Sequence, residues 1–119
     1  MNTQDQDLNQ QLIQNPNQET VQLEQPIQFG GNTITEITIR KPNVKALSGV
    51  SLQAIYQHDV NALIKVLPRV TTPALTPQQV LELDPVDFAN LGGYLVTFLY
   101  PQAVQKAIKE DQQENWSMT

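Results

Sequence analysis

The chain has 119 residues, a net charge of −5 and a pI of about 4.6. That balance argues against the basic face on which nucleic-acid binders release counterions. The absence of cysteine excludes disulfide frameworks and thiolate metal or redox sites, and no apolar run approaches the roughly 20 residues that cross a bilayer. The length suits one domain. The opening MNTQDQDLNQQ has neither a positive n-region nor an apolar h-region, so no secretory signal is expected.

Residues 1–18 are dominated by Gln, Asn and Asp. Beyond Met1 the sizeable apolar residues there are Leu8, Leu12 and Ile13. They bury too little surface to offset ordering entropy, which predicts a disordered arm. From Thr20 the pattern turns to period two, in the stretch that includes QPIQFGGNTITEITIRKP. Val21, Leu23, Ile27, Phe29, Ile37 and Ile39 are all odd-numbered. A three-residue turn over 30–32, with Asn32 left-handed, places Gln25 opposite Ile37 and Leu23 opposite Ile39, so that these apolar side chains share one face. Ile34 falls on the other face. Pro26 has no N–H for a ladder and marks an edge or a bulge. Arg40, Lys41 and Lys45 form the local basic cluster, which reads as solvated surface.

A two-stranded ribbon needs a cover, and the rest of the chain supplies helices. Ser51 is an N-cap for a helix through about Leu67, with Leu52, Ile55, Tyr56, Leu63, Ile64 and Leu67 on one stripe and Pro68 ending it. His58 and Asp59 are neighbours on that helix and do not face each other, so they form no dyad. Thr76, Pro77 and Gln79 spell a capping box. Asp84, Pro85 and Asp87 repeat the start signal, with both carboxylates read as helix-start residues. They open a helix striped by Phe88, Leu91, Leu95, Phe98 and Leu99, in which Gly92 and Gly93 suggest close approach of a neighbouring element or, as the alternative, a hinge or a partner's contact face. Residues 101–119 are a weaker helix, to about 113, and a polar tail with Trp116. The fold class is therefore α+β: an N-terminal two-stranded antiparallel hairpin packed on three to four helices, in a domain over residues 19–100.

No convergent polar cluster points to catalysis, a metal or a cofactor. One histidine without cysteine makes a zinc site improbable. Aromatic side chains with a polar tip suit interfaces, so Tyr94 and Tyr100 are candidate partner-binding residues, together with Phe98 on the same helix stripe and the off-face Ile34.

The order of these features resembles the Mu/P2-type phage tail assembly chaperones, small proteins encoded just before the tape measure protein. The matching ribbon positions are Pro26, Ile27, Gly31, Ile34, Ile37, Arg40 and Pro42. The matching helix positions are Asp84, Pro85, Asp87, Phe98 and Leu99, and the likeness covers about residues 20–100. The resemblance implies a non-enzymatic chaperone in the host bacterial cytoplasm, absent from the mature virion. It would bind the tape measure protein and help recruit the tail tube protein. It also implies a longer form made by ribosomal frameshifting, for which codons of Thr97, Phe98 and Leu99 can supply a slippery thymine run. Homo-oligomers are compatible with it, whereas nucleic acid, membrane and cofactors are not implied. The alternative is a structural component of the phage tail.

Overall fold

A computed structural model describes residues 17–108. Strand β1 (Gln18–Phe29) and strand β2 (Asn32–Arg40) form the hairpin, followed by a short 3-10 turn at Lys45–Leu47. Helices α1 (Leu52–Tyr56), α2 (Val60–Val70), α3 (Pro77–Leu81) and α4 (Pro85–Phe98) come next. Strand β3 (Thr71–Thr72) lies between α2 and α3 and pairs antiparallel with β2, giving the order β1-β2-β3. The chain is helical again over residues 102–108. The expected α+β class holds, with a third strand that is too short to leave a period-two signature. The predicted 1–18 arm up to residue 16 and the predicted helix end and tail beyond 108 lie outside the described residues.

The one-sided ribbon is present, but its register differs from the expected one. The turn has two residues, Gly30 and Gly31, at φ of 56° and 88°, and Phe29 pairs with Asn32. Two left-handed residues match the right-handed twist of the flanking strands, and glycine adopts them without a Cβ penalty. Ile37 faces Val21 rather than Gln25. The difference is absorbed inside β1, where residues 23–26 stand opposite Thr35 alone. That excess is odd, so it restores Val21, Ile37 and Ile39 to one buried face. Pro26 lies in this bulge, on a strand that is also the sheet edge, as a residue without an N–H requires. Ile34 pairs with Ile27 and packs against the core, not on the opposite face.

The expected single helix from Ser51 is two. Ser51 caps α1 by accepting from Ala54 N–H at 3.2 Å. His58 then takes a positive φ of 59°, and Asp59 caps α2 by accepting from Ala62 N–H at 3.0 Å. His58 and Asp59 are thus a linker and a cap. Pro68 lies inside α2, which runs on to Val70. Its missing N–H falls near the helix end, and the carbonyl of Leu67 accepts from the Thr71 hydroxyl at 2.9 Å. The capping box at Thr76 and Gln79 is formed, and Asp84 caps α4 ahead of Pro85.

Helix α4 packs on β1 and β2, and α2 lies against α3, α4 and β2. The core joins Ile37 and Ile39 of the sheet to Leu63, Val66 and Leu67 of α2 and to Leu91 and Leu95 of α4. Gly92 permits the close approach of α2. A Cβ at that position would sit 2.8 Å from Leu63 Cδ1, whereas one at Gly93 meets nothing within 4 Å.

Candidate functional site: apolar surface beside the core

The buried Asp87 and the Arg40 and Arg69 guanidiniums serve the fold. The Asp87 carboxylate is fully buried and accepts from the backbone N–H groups of Glu24 at 2.7 Å and Gln25 at 3.1 Å. It therefore satisfies the bulge that takes those groups off the ladder. The sequence accounted for Asp87 only as an acid in the first helical turn. Arg69 Nη1 donates to the carbonyls of Ala46 at 2.9 Å and Ser48 at 2.8 Å, and Arg40 Nη2 donates to the Arg69 carbonyl at 2.6 Å. These guanidiniums tie the segment after the hairpin to the end of α2, where cations also oppose the helix dipole. Among the described residues no group of His, Cys, Asp and Glu is arranged to hold a metal, and no helix is long and apolar enough to cross a membrane.

An apolar surface feature lies outside this network. Val60 and Ile64 of α2, Val80 and Leu81 of α3, then Leu83, Pro85 and Phe88 line an open groove of about 200 Å³. Its floor is core: Val80 and Leu83 are buried. Its walls are exposed, Val60 by 55% and Leu81 by 61%, with Val86 exposed nearby at 52%. Two short helix starts in close succession, at Thr76 and Asp84, leave α3 only five residues long. A helix that short cannot bury every apolar side chain around it. A second apolar patch carries Leu52 and Tyr56, one turn apart on α1, and Tyr100. The Tyr56 and Tyr100 rings are 5.5 Å apart at 52°, and the Tyr56 hydroxyl donates to the Leu99 carbonyl at 3.3 Å.

The partner-binding residues expected from the sequence differ in exposure. Tyr94 and Tyr100 are on the surface, Ile34 is half-buried against the core, and Phe98 is inside it. The Phe98 side chain is therefore closed to a partner in the folded state. Burial raises the Tyr94 phenol pKa above 10.0, and the negative charge of Glu19 adds to the rise. None of the four lines the groove. Its sequence signal was the excess of apolar residues over 80–88, more than the α4 stripe employs.

The family model described as phage tail assembly chaperone proteins, E, or 41 or 14, matches residues 20–100. The chain is similar to tail assembly protein E of Escherichia phage P2, 45% identical over 85 residues, covering 71% of this chain and 93% of that protein. It is also similar to tail assembly protein E′ of the same phage, 44% identical over 79 residues, covering 66% of this chain and 56% of that protein. The chain thus spans nearly all of E and little more than half of E′. No solved structure matches it.

Proposed function

We propose, given that this chain belongs to the phage tail assembly chaperone family, that it binds the tape measure protein and keeps it soluble while the tail tube assembles. A role in phage tail assembly, with tail components as partners, comes with that membership. Binding of the tape measure protein, recruitment of the tube protein and the absence of enzymatic activity are the finer reading. The observation that supports it is the exposed apolar groove beside the core. A chaperone for a long helical client needs apolar surface free in the folded state, and grooves between helices receive amphipathic helices through spaced apolar anchors.

Two P2 relatives, one matched along nearly its whole length and one along about half, support the further reading that a longer form of this chain works beside it. The test is co-expression with the tape measure protein of the same phage. The expected result is a tape measure protein that is insoluble alone, soluble with this chain and co-purified with it, and a chain missing from purified particles by mass spectrometry. A tape measure protein equally soluble without this chain overturns the reading. Finding the chain in the particles points instead to a structural tail component.

A further inference from the structure

We infer that the groove between α2, α3 and α4 takes a helical segment whose apolar face is bordered by lysine or arginine. The inference rests on the chaperone reading and specifies the chemistry of the client segment. Size is the first argument. At about 200 Å³ the groove is smaller than the roughly 300–1,000 Å³ typical of small-molecule pockets. It suits one or two anchor side chains of a helix, with Leu81 and Val60 flanking them.

Charge is the second. Asp59 directly precedes Val60, Glu82 lies between Leu81 and Leu83, and Asp84 directly precedes Pro85. A fourth carboxylate, Asp87, directly precedes the lining residue Phe88, but it is buried and held by the N–H groups of Glu24 and Gln25, which leaves Asp59, Glu82 and Asp84. Asp59 accepts from Ala62 N–H at 3.0 Å and Asp84 from Val86 N–H at 2.8 Å, while Glu82 accepts from the Gln78 amide at 3.4 Å. All three partners are neutral and none is a cation; the starts of α2 and α4 offset part of the charge of Asp59 and Asp84, and the remainder, with that of the exposed Glu82, is open to an incoming cation. Lys65 is the adjacent positive residue, next to Ile64. It points about 100° around α2 from that side chain, on the exposed face that also carries Asn61 and Arg69. Three carboxylates against one displaced ammonium favour a basic border on the ligand and disfavour an acidic one.

The test uses the full chain and two synthetic amphipathic helical peptides with the same leucine face, one bordered by lysine and one by glutamate. Fluorescence anisotropy at low salt should show the lysine peptide binding roughly tenfold or more tighter, with the ratio shrinking at high salt as screening sets in. Leu81→Asp should abolish binding of the lysine peptide, and Glu82→Lys should reduce the preference several-fold. Both residues are exposed, and circular dichroism confirms that the variants fold. Equal binding of the two peptides, or binding of the lysine peptide unchanged by Leu81→Asp, overturns the inference. The same variants are co-expressed with the tape measure protein. A client kept soluble by wild type and equally by Leu81→Asp sinks the groove assignment and leaves the chaperone reading standing. A client that wild type does not solubilise sinks the chaperone reading, and the peptide ratio then decides the groove alone.

Discussion

The carboxylate of Asp87, at the start of α4, accepts a hydrogen bond of 2.7 Å from the backbone N–H of Glu24, in the bulge of β1. The adjacent N–H of Gln25 reaches the other oxygen at 3.1 Å. One buried side chain thus joins the hairpin and the second helix start, which are the two halves of the family resemblance. The bulge corrects the face of the strand, and Asp87 makes the bulge tolerable by receiving the donors it frees.

Removing that acceptor should destabilise the fold out of proportion to the side chain's volume. Asp87→Ala is expected to lower the unfolding free energy by about 3 kcal/mol, since hydrogen bonds to a charged acceptor and the donors left behind both count. Asp87→Asn should lose about half as much, because its single carbonyl oxygen can still accept. Glu24→Ala keeps its N–H and should stay within about 0.5 kcal/mol of wild type. Urea denaturation of the three variants checks the order, and equal midpoints for Asp87→Ala and Glu24→Ala would contradict it.

Adjacent glycines should respond with opposite signs. Gly92→Ala places a methyl 2.8 Å from Leu63 Cδ1, a side chain only 2% exposed. Overpacking of that kind typically costs about 1–3 kcal/mol, against a helix-propensity gain of about 1. Net destabilisation of about 1 kcal/mol is expected. Gly93→Ala meets nothing within 4 Å and should stabilise by up to about 1 kcal/mol. Thermal melts of the two single variants decide it, and a stabilised Gly92→Ala would show that Leu63 yields freely.

Much of this architecture was legible because local chemistry agrees with the fold. The caps at Ser51, Thr76 and Asp84, the one-sided ribbon and the α4 stripe each follow from residue type and spacing. Register was not legible. The odd-numbered apolar residues demand a correction of parity, but a three-residue turn and an in-strand bulge satisfy that demand equally. Pro26 is compatible with a bulge but equally with a plain edge strand; the carboxylate of Asp87 is what receives the freed donors, and a contact over 63 residues leaves no periodic trace. The break at His58 was hidden because the apolar stripe continues across it, from Ile55 to Leu63. The groove was hidden for a related reason: Val80 and Leu83 reach the core while Leu81 between them stays exposed, a distinction set by the paths of α2 and α4.

The turn chemistry makes a sharp test of the observed register. Gly30 at φ 56° lies in the left-handed region that asparagine tolerates, and Gly31 at 88° lies where glycine is favoured. Gly30→Asn should therefore leave stability within about 0.5 kcal/mol of wild type, because it writes the Asn-Gly pair that two-residue hairpins prefer. Gly31→Val should lower it by at least about 1 kcal/mol, since a β-branched residue is strained at positive φ. Chemical denaturation of both variants is the measurement. Indifference to Gly31→Val would return the turn to the three-residue form.

Tyr94, on α4, feels the charge of Glu19 on the edge strand, which bears on stability at alkaline pH. Burial raises its phenol pKa above 10.0, and the carboxylate of Glu19 raises it further. Both causes oppose the phenolate, so the folded chain holds this proton to higher pH than the unfolded chain does. Between the two pKa values the unfolded state binds fewer protons, and the unfolding free energy falls as pH rises. Stability attributable to Tyr94 is thus intact below pH 10.0 and declines as pH climbs from there towards the folded pKa, beyond which the loss is constant. Tyr94→Phe should flatten that part of the alkaline limb. Glu19→Gln should flatten it only partly, because desolvation is the larger cause. Denaturation midpoints recorded across that range, alongside phenolate absorbance of wild type and Tyr94→Phe, test both. A Tyr94→Phe variant that loses stability with pH as steeply as wild type would remove Tyr94 from the account and assign the slope to other groups.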